Sequence, residues 1–116
     1  MLEALWSIEF QSNAAANNAG GGVLVLETER VLGGDPWFTI IGEYVAPQGT
    51  STVEATVNVK RYRPGSHSIF GPTINELQLK LSGVPSREGF TMKGHVVGKP
   101  SQIVAVKLVR RAELPG

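Results

Sequence analysis

Two histidines, His67 and His95, and no cysteine are all that this 116-residue chain offers as proton shuttles or soft metal ligands. His67 lies between Ser66 and Ser68, the neighbours a hydrolytic relay would use. Such a relay also needs a carboxylate to orient the imidazole, and none is near His67 in sequence. His95 occupies the polar side of an alternating run and reads as a surface residue. Glu3 and Glu9 fall on one face of a strand, but six positions at the usual rise separate them by about 20 Å, too far for paired acid/base work. Without cysteine there is neither thiolate nor disulfide, and a closed zinc site would need several carboxylates beside the two histidines. These residues predict no enzyme, no metal and no cofactor.

The stretch Gly33-Gly34-Asp35-Pro36 has the glycines of a phosphate cradle. A cradle works when a helix N-terminus follows, so that several N–H groups and the helix dipole converge on the anion. Here Trp37, Phe38, Thr39, Ile40 and Ile41 follow, and these residue types favour strands. The stretch therefore reads as a turn, with unusual backbone angles at Gly33 and Gly34, Asp35 bonding the turn backbone and Pro36 starting a strand.

Charge narrows the partners. Eleven Lys and Arg against ten Asp and Glu leave +1, with no basic block that would draw the chain onto a phosphate backbone. Direct nucleic-acid binding is thereby disfavoured. Two small basic clusters, Lys60/Arg61/Arg63 and Lys107/Arg110/Arg111, read as solvated strand ends or as contacts for an acidic partner. The start, MLEALWSIEF, has no basic flank before its apolar residues, and nothing later reaches a membrane-spanning length. The expectation is a soluble, cytoplasmic protein with no membrane span.

The elements that would position these residues repeat with a period near two. Leu2, Ala4, Trp6, Ile8 and Phe10 alternate with Glu3, Ser7, Glu9 and Gln11, the signature of a half-buried strand ending near Ser12. Residues 13–22, NAAANNAGGG, suit a mobile loop, and extended structure resumes with GVLVLE. Further strands are expected over 29–33, 37–45 and 52–62, then around Leu77–Leu81, Phe90–Val96 and IVAVKLV before Arg110. Residues 63–74, RPGSHSIFGPTI, hold two prolines and two glycines and predict a long loop with one short helical turn. The length fits one domain, 1–116. About eight strands joined by short turns without helical crossovers predict an all-β antiparallel meander closed into a small barrel, with a sandwich as the alternative.

In such a barrel Trp6, Ile8 and Phe10 share an inward face with Phe38, Ile40 and Tyr44, and Leu79, Phe90 and Met92 join them. They read either as a filled core or as the wall of a cavity for a lipid or other apolar molecule, with the Tyr44 hydroxyl as a polar anchor. Trp37 falls on the opposite face beside Ile41. If that face is outward, the two form an apolar patch suited to a homodimer contact.

The segments LWSIEFQSN, GVLVLETERVLGGDPWFTIIGEY and VNVKRY resemble, in order and spacing, the GrlR family of negative regulators of type III secretion. The likeness spans roughly residues 4–62; beyond it only strand rhythm and HVVG at 95–98 match. It implies a small calycin-like (lipocalin-like) barrel that dimerises, binds a transcriptional activator protein and holds an apolar cavity suggested to take lipid. The best-known GrlR member carries a run of four alternating acidic residues before the strand that ends in Arg-Tyr. This chain has Ser51, Thr52, Val53 and Glu54 there, with one carboxylate. That stretch is the candidate partner-binding segment, for a different protein than the family's, or simply a turn entering a strand.

Overall fold

The computed structural model of the chain describes residues 2–13, 19–64 and 75–115. Eight strands follow one another: β1 (Ala4–Ser12), β2 (Ala19–Glu27), β3 (Arg30–Gly34), β4 (Phe38–Val45), β5 (Val53–Arg61), β6 (Glu76–Gly83), β7 (Gly89–Val96) and β8 (Lys99–Ala112). Each pairs antiparallel with the next, and β8 returns to pair with β1, so the sheet is a closed barrel rather than a sandwich. Closure satisfies the ladder groups that an open sheet would leave on two edges. No helix occurs among the described residues. The helical turn expected within 63–74 falls mostly outside them.

Alternation places the apolar rows. Along β5 the buried residues are Val53, Ala55, Val57 and Val59, and the exposed ones are Glu54, Thr56, Asn58 and Lys60. Branched side chains fit such a half-buried pleated surface, which is why so many valines are found here. No polar or charged residue is buried among those described.

Two boundaries differ from expectation. The loop predicted over 13–22 gives way to strand at Ala19, because Gly20, Gly21 and Gly22 pair with Phe10, Glu9 and Ile8. Glycine has poor strand propensity, but β1 needs a partner along its whole length, and Gly20 leaves room for the Phe10 ring, which a Cβ there would approach within 2.7 Å. The last strand is also longer than IVAVKLV. It runs from Lys99 to Ala112 because it serves two neighbours, β7 and β1.

Turn chemistry sets the register at the hairpins. Thr28 and Glu29 both have positive φ, 50° and 64°, the primed turn whose twist matches the flanking strands. Neither is glycine, so the strain is offset elsewhere: the Glu3 carboxylate accepts the Thr28 N–H at 2.8 Å. At the opposite end Gly98, with φ of 87°, turns β7 into β8.

Trp6 packs at one end. It is fully buried, meets Phe90 edge-on with ring centroids 5.4 Å apart, and donates its indole N–H to the Leu2 carbonyl at 2.9 Å. The Arg110 guanidinium lies 5.9 Å from the Trp6 ring. Trp6→Ala removes the largest fully buried side chain and leaves a void, so stability should fall by about 3–5 kcal/mol. Urea unfolding followed by far-UV circular dichroism would show a lower midpoint; an unchanged midpoint would rule out this role.

Candidate functional site

Inside the barrel lies a cavity of about 490 Å³. Ligand sites commonly fall between roughly 300 and 1,000 Å³, whereas a dry cavity of about 150 Å³ already accepts benzene. Of the two readings of the inward face, a filled core and the wall of a cavity, the cavity is the one present. Several glycines share that inward face. Register places Gly22 beside Ile8, Gly33 between Leu24 and Ile40, Gly42 between Val31 and Val57, and Gly94 between Leu81 and Val104. Directly opposed residues share a face, so these glycines hold inward positions without filling them. A Cβ at any of the four would run into a backbone oxygen of the neighbouring strand, so they serve close strand approach, and the cavity is walled by the side chains around them. Gly42 is also needed for curvature, since a Cβ there would run into the Thr56 carbonyl oxygen and Val57.

The wall is built by residues from every strand. Ile8, Phe10, Phe38, Ile40, Tyr44, Leu79, Phe90 and Met92 line it, as their faces predicted. Trp6 does not: it is fully buried and packs edge-on against Phe90, which does line the cavity. Val57, Val59, Val104 and Val106 complete the wall. Their alternation is visible in the sequence, but which face is interior follows only from the register.

The described residues at the end remote from Trp6 form a rim, here termed the mouth. Phe10, Gly20, Asp35, Pro36, Trp37 and Phe38 line the cavity there. Asp35 organises this rim: one carboxylate oxygen accepts the N–H groups of Trp37 at 2.8 Å and Phe38 at 2.7 Å. The backbone donors that a phosphate cradle would present are thus turned onto Asp35. Gly33 and Gly34 lie within β3 at ordinary extended angles, so the unusual angles expected of them are absent; the bend is made by residues 35–37. Tyr62 ties the rim to β5, donating its hydroxyl to the Asp35 carbonyl at 2.8 Å and its N–H to the Trp37 carbonyl at 3.0 Å.

Other candidates separate in space. Trp37 is half-buried and turned over the mouth, whereas Ile41 is exposed on the outer wall opposite Leu32. The expected Trp37–Ile41 patch does not form, because Trp37 sits in the bend before β4, where strand alternation does not apply. Of Ser51 to Glu54, Val53 is a core residue that lines the cavity, Thr52 is half-buried with its hydroxyl 3.2 Å from that of Thr50, and only Ser51 and Glu54 are exposed. The two basic clusters lie at opposite ends: Arg61 and Arg63 at the mouth, Arg110 beside Trp6, and Arg111 donating its Nε–H to the Ser7 hydroxyl at 2.7 Å. His67 lies outside the described residues, and among those described no three His, Asp or Glu side chains gather as a metal site would require.

Tyr44 lines the cavity, and its hydroxyl meets the Glu29 backbone in the Thr28-Glu29 turn. Burial pushes its phenol above the ordinary value of 10.0; a backbone hydrogen bond at Glu29 opposes the shift, and the carboxylates of Glu3 and Glu29 reinforce it. The group is therefore a neutral donor at physiological pH.

No protein-family model matches the chain, and no curated protein matches it. The geometry places it among closed, eight-stranded antiparallel meander barrels with an internal apolar cavity.

A raised folded pKa contributes stability that is present below the unfolded value near 10 and lost as pH rises through the folded one. In a Tyr62→Phe chain, where Tyr44 is the only tyrosine, phenolate absorbance should titrate above the denatured control. Coincident titrations would show that Tyr44 is not held in a desolvated site.

Proposed function

We propose that this protein acts by binding, taking a small apolar molecule into the barrel, and that it performs no catalysis. The observation that carries this reading is the 490 Å³ cavity, whose wall is apolar on every strand and which meets polar groups mainly at its rim. Burying apolar surface contributes roughly 25 cal/mol per Å², so a wall of this kind favours a hydrocarbon tail or ring over any polar solute. Tyr44 supplies one hydrogen-bond donor, the sparse polar anchoring typical of such pockets. A neutral, polarity-sensitive dye such as N-phenylnaphthylamine should bind saturably with enhanced fluorescence. Val106→Phe, which narrows the cavity beside Met92 and Phe10, should weaken that binding roughly tenfold while far-UV circular dichroism stays unchanged. Absence of saturable binding by the unaltered chain would overturn the reading.

A second reading is regulation through a protein partner by a dimer of GrlR type. What supports it is the similarity in order and spacing over residues 4–62. The surface offers Glu54 and Ser51 for such a partner and the outward pair Leu32 and Ile41 for a second copy. Under this reading, deletion of the gene raises the transcripts it represses, and an Ile41→Lys chain, monomeric by light scattering, fails to restore repression. Unchanged transcripts on deletion would exclude it.

A further inference from the structure

The inward row of β5 reads Val53, Ala55, Val57, Val59 and ends in half-buried Arg61, and exposed Arg63 follows in the bend after the strand. Two guanidinium groups thus stand beside the end of the apolar wall. Each is stacked on an aromatic ring that lines the cavity: Arg61 lies 4.8 Å from the Phe38 ring centroid and Arg63 lies 4.6 Å from that of Trp37. Both arginines are also steered by polar contacts, Arg61 Nε donating to the Asn75 side chain at 3.0 Å and Arg63 to the Pro36 carbonyl at 3.4 Å.

Stacking holds the planar forks in fixed orientations, and a guanidinium is weakly hydrated, so bringing an anion against it costs less desolvation than with an ammonium. Among the described residues of this rim, Asp35 directs one carboxylate oxygen onto two backbone N–H groups, while the outward Lys60 faces Glu76 across the strands. The mouth therefore joins an apolar bore to a paired cationic edge. A neutral hydrocarbon would make no use of that edge.

We propose that the ligand is a single-tailed amphiphile with an anionic head, a carboxylate or a phosphate, whose tail occupies the barrel and whose head is held by Arg61 and Arg63. This assignment rests on the cavity reading above and names the chemical class that the cavity takes. Charge-assisted, forked hydrogen bonds to such a head supply the orientation that the apolar wall cannot.

The test is displacement of N-phenylnaphthylamine by dodecanoate, dodecyl phosphate and methyl dodecanoate, each below its micellar concentration. At least one anion should bind roughly tenfold more tightly than the ester, and which one does so identifies the head. In Arg63→Gln, and more so in Arg61→Gln/Arg63→Gln, the ratio of anion to ester affinity should collapse towards one. For the unaltered chain, added salt should lower the same ratio, a readout independent of whether the variants fold. Equal affinities for ester and anions, or a ratio indifferent to both the substitutions and salt, would overturn the anionic-head assignment and leave the apolar cavity reading standing. No saturable dye binding and no displacement by any of the three would overturn both.

Discussion

The pairing of β8 with β1 is the constraint on which the rest depends. From Leu5 to Ser12 the first strand is matched by β8 between Ala112 and Val104, with one irregularity between Leu5 and Trp6. Once that ladder forms, every strand has two neighbours and every residue is committed to the inside or the outside of a cylinder. Alternation then does what it could not do in an open sheet: it directs the apolar rows of eight strands towards a common axis. The circumference is set by strand number, so interior width does not shrink when side chains are small. Glycines at 22, 33, 42 and 94 let adjacent strands approach closely, since a Cβ at each would run into a neighbouring backbone oxygen.

The two ends of the cylinder differ in chemistry for the same reason. At one end Trp6 packs edge-on against Phe90, and its indole N–H reaches the Leu2 carbonyl. The Thr28-Glu29 turn, held by Glu3, packs at this end, and the nearby carboxylates help to keep Tyr44 protonated. At the mouth stand Arg61, Arg63 and Asn75, and the 35–37 bend is stitched to β5 through Tyr62. A molecule aligned along the bore meets an apolar wall and, at the rim, cationic donors. That polarity follows from where the apolar rows end on each strand.

Strand content, the meander and the closed barrel were legible in the sequence because period two is a local property, readable from four or five residues at a time. The rows Val53–Val59 and Phe38–Tyr44 and the Asp35 turn needed nothing further. Where local signals conflicted, long-range pairing decided: Gly20 to Gly22 look like loop until β1 requires a partner for Ile8 to Phe10. Trp37 misled because parity counted through a bend carries no meaning. Arg63 is the exposed strand-end residue it looked like, whereas Arg61 is half-buried on the inward row, which cannot be told from an outward one until the register is known.

The sequence by itself therefore determined which residues alternate, where the chain must turn and that no cysteine is present for thiolate or disulfide chemistry. Only the tertiary structure decided that the shared interior holds a cavity, that Trp6 packs behind Phe90 rather than lining it, and that two arginines stand at its rim. The physical reason is that cavity volume and the meeting of β5 with the 35–37 bend are sums over all eight strands, set by register and closure, and no local window of the chain contains them.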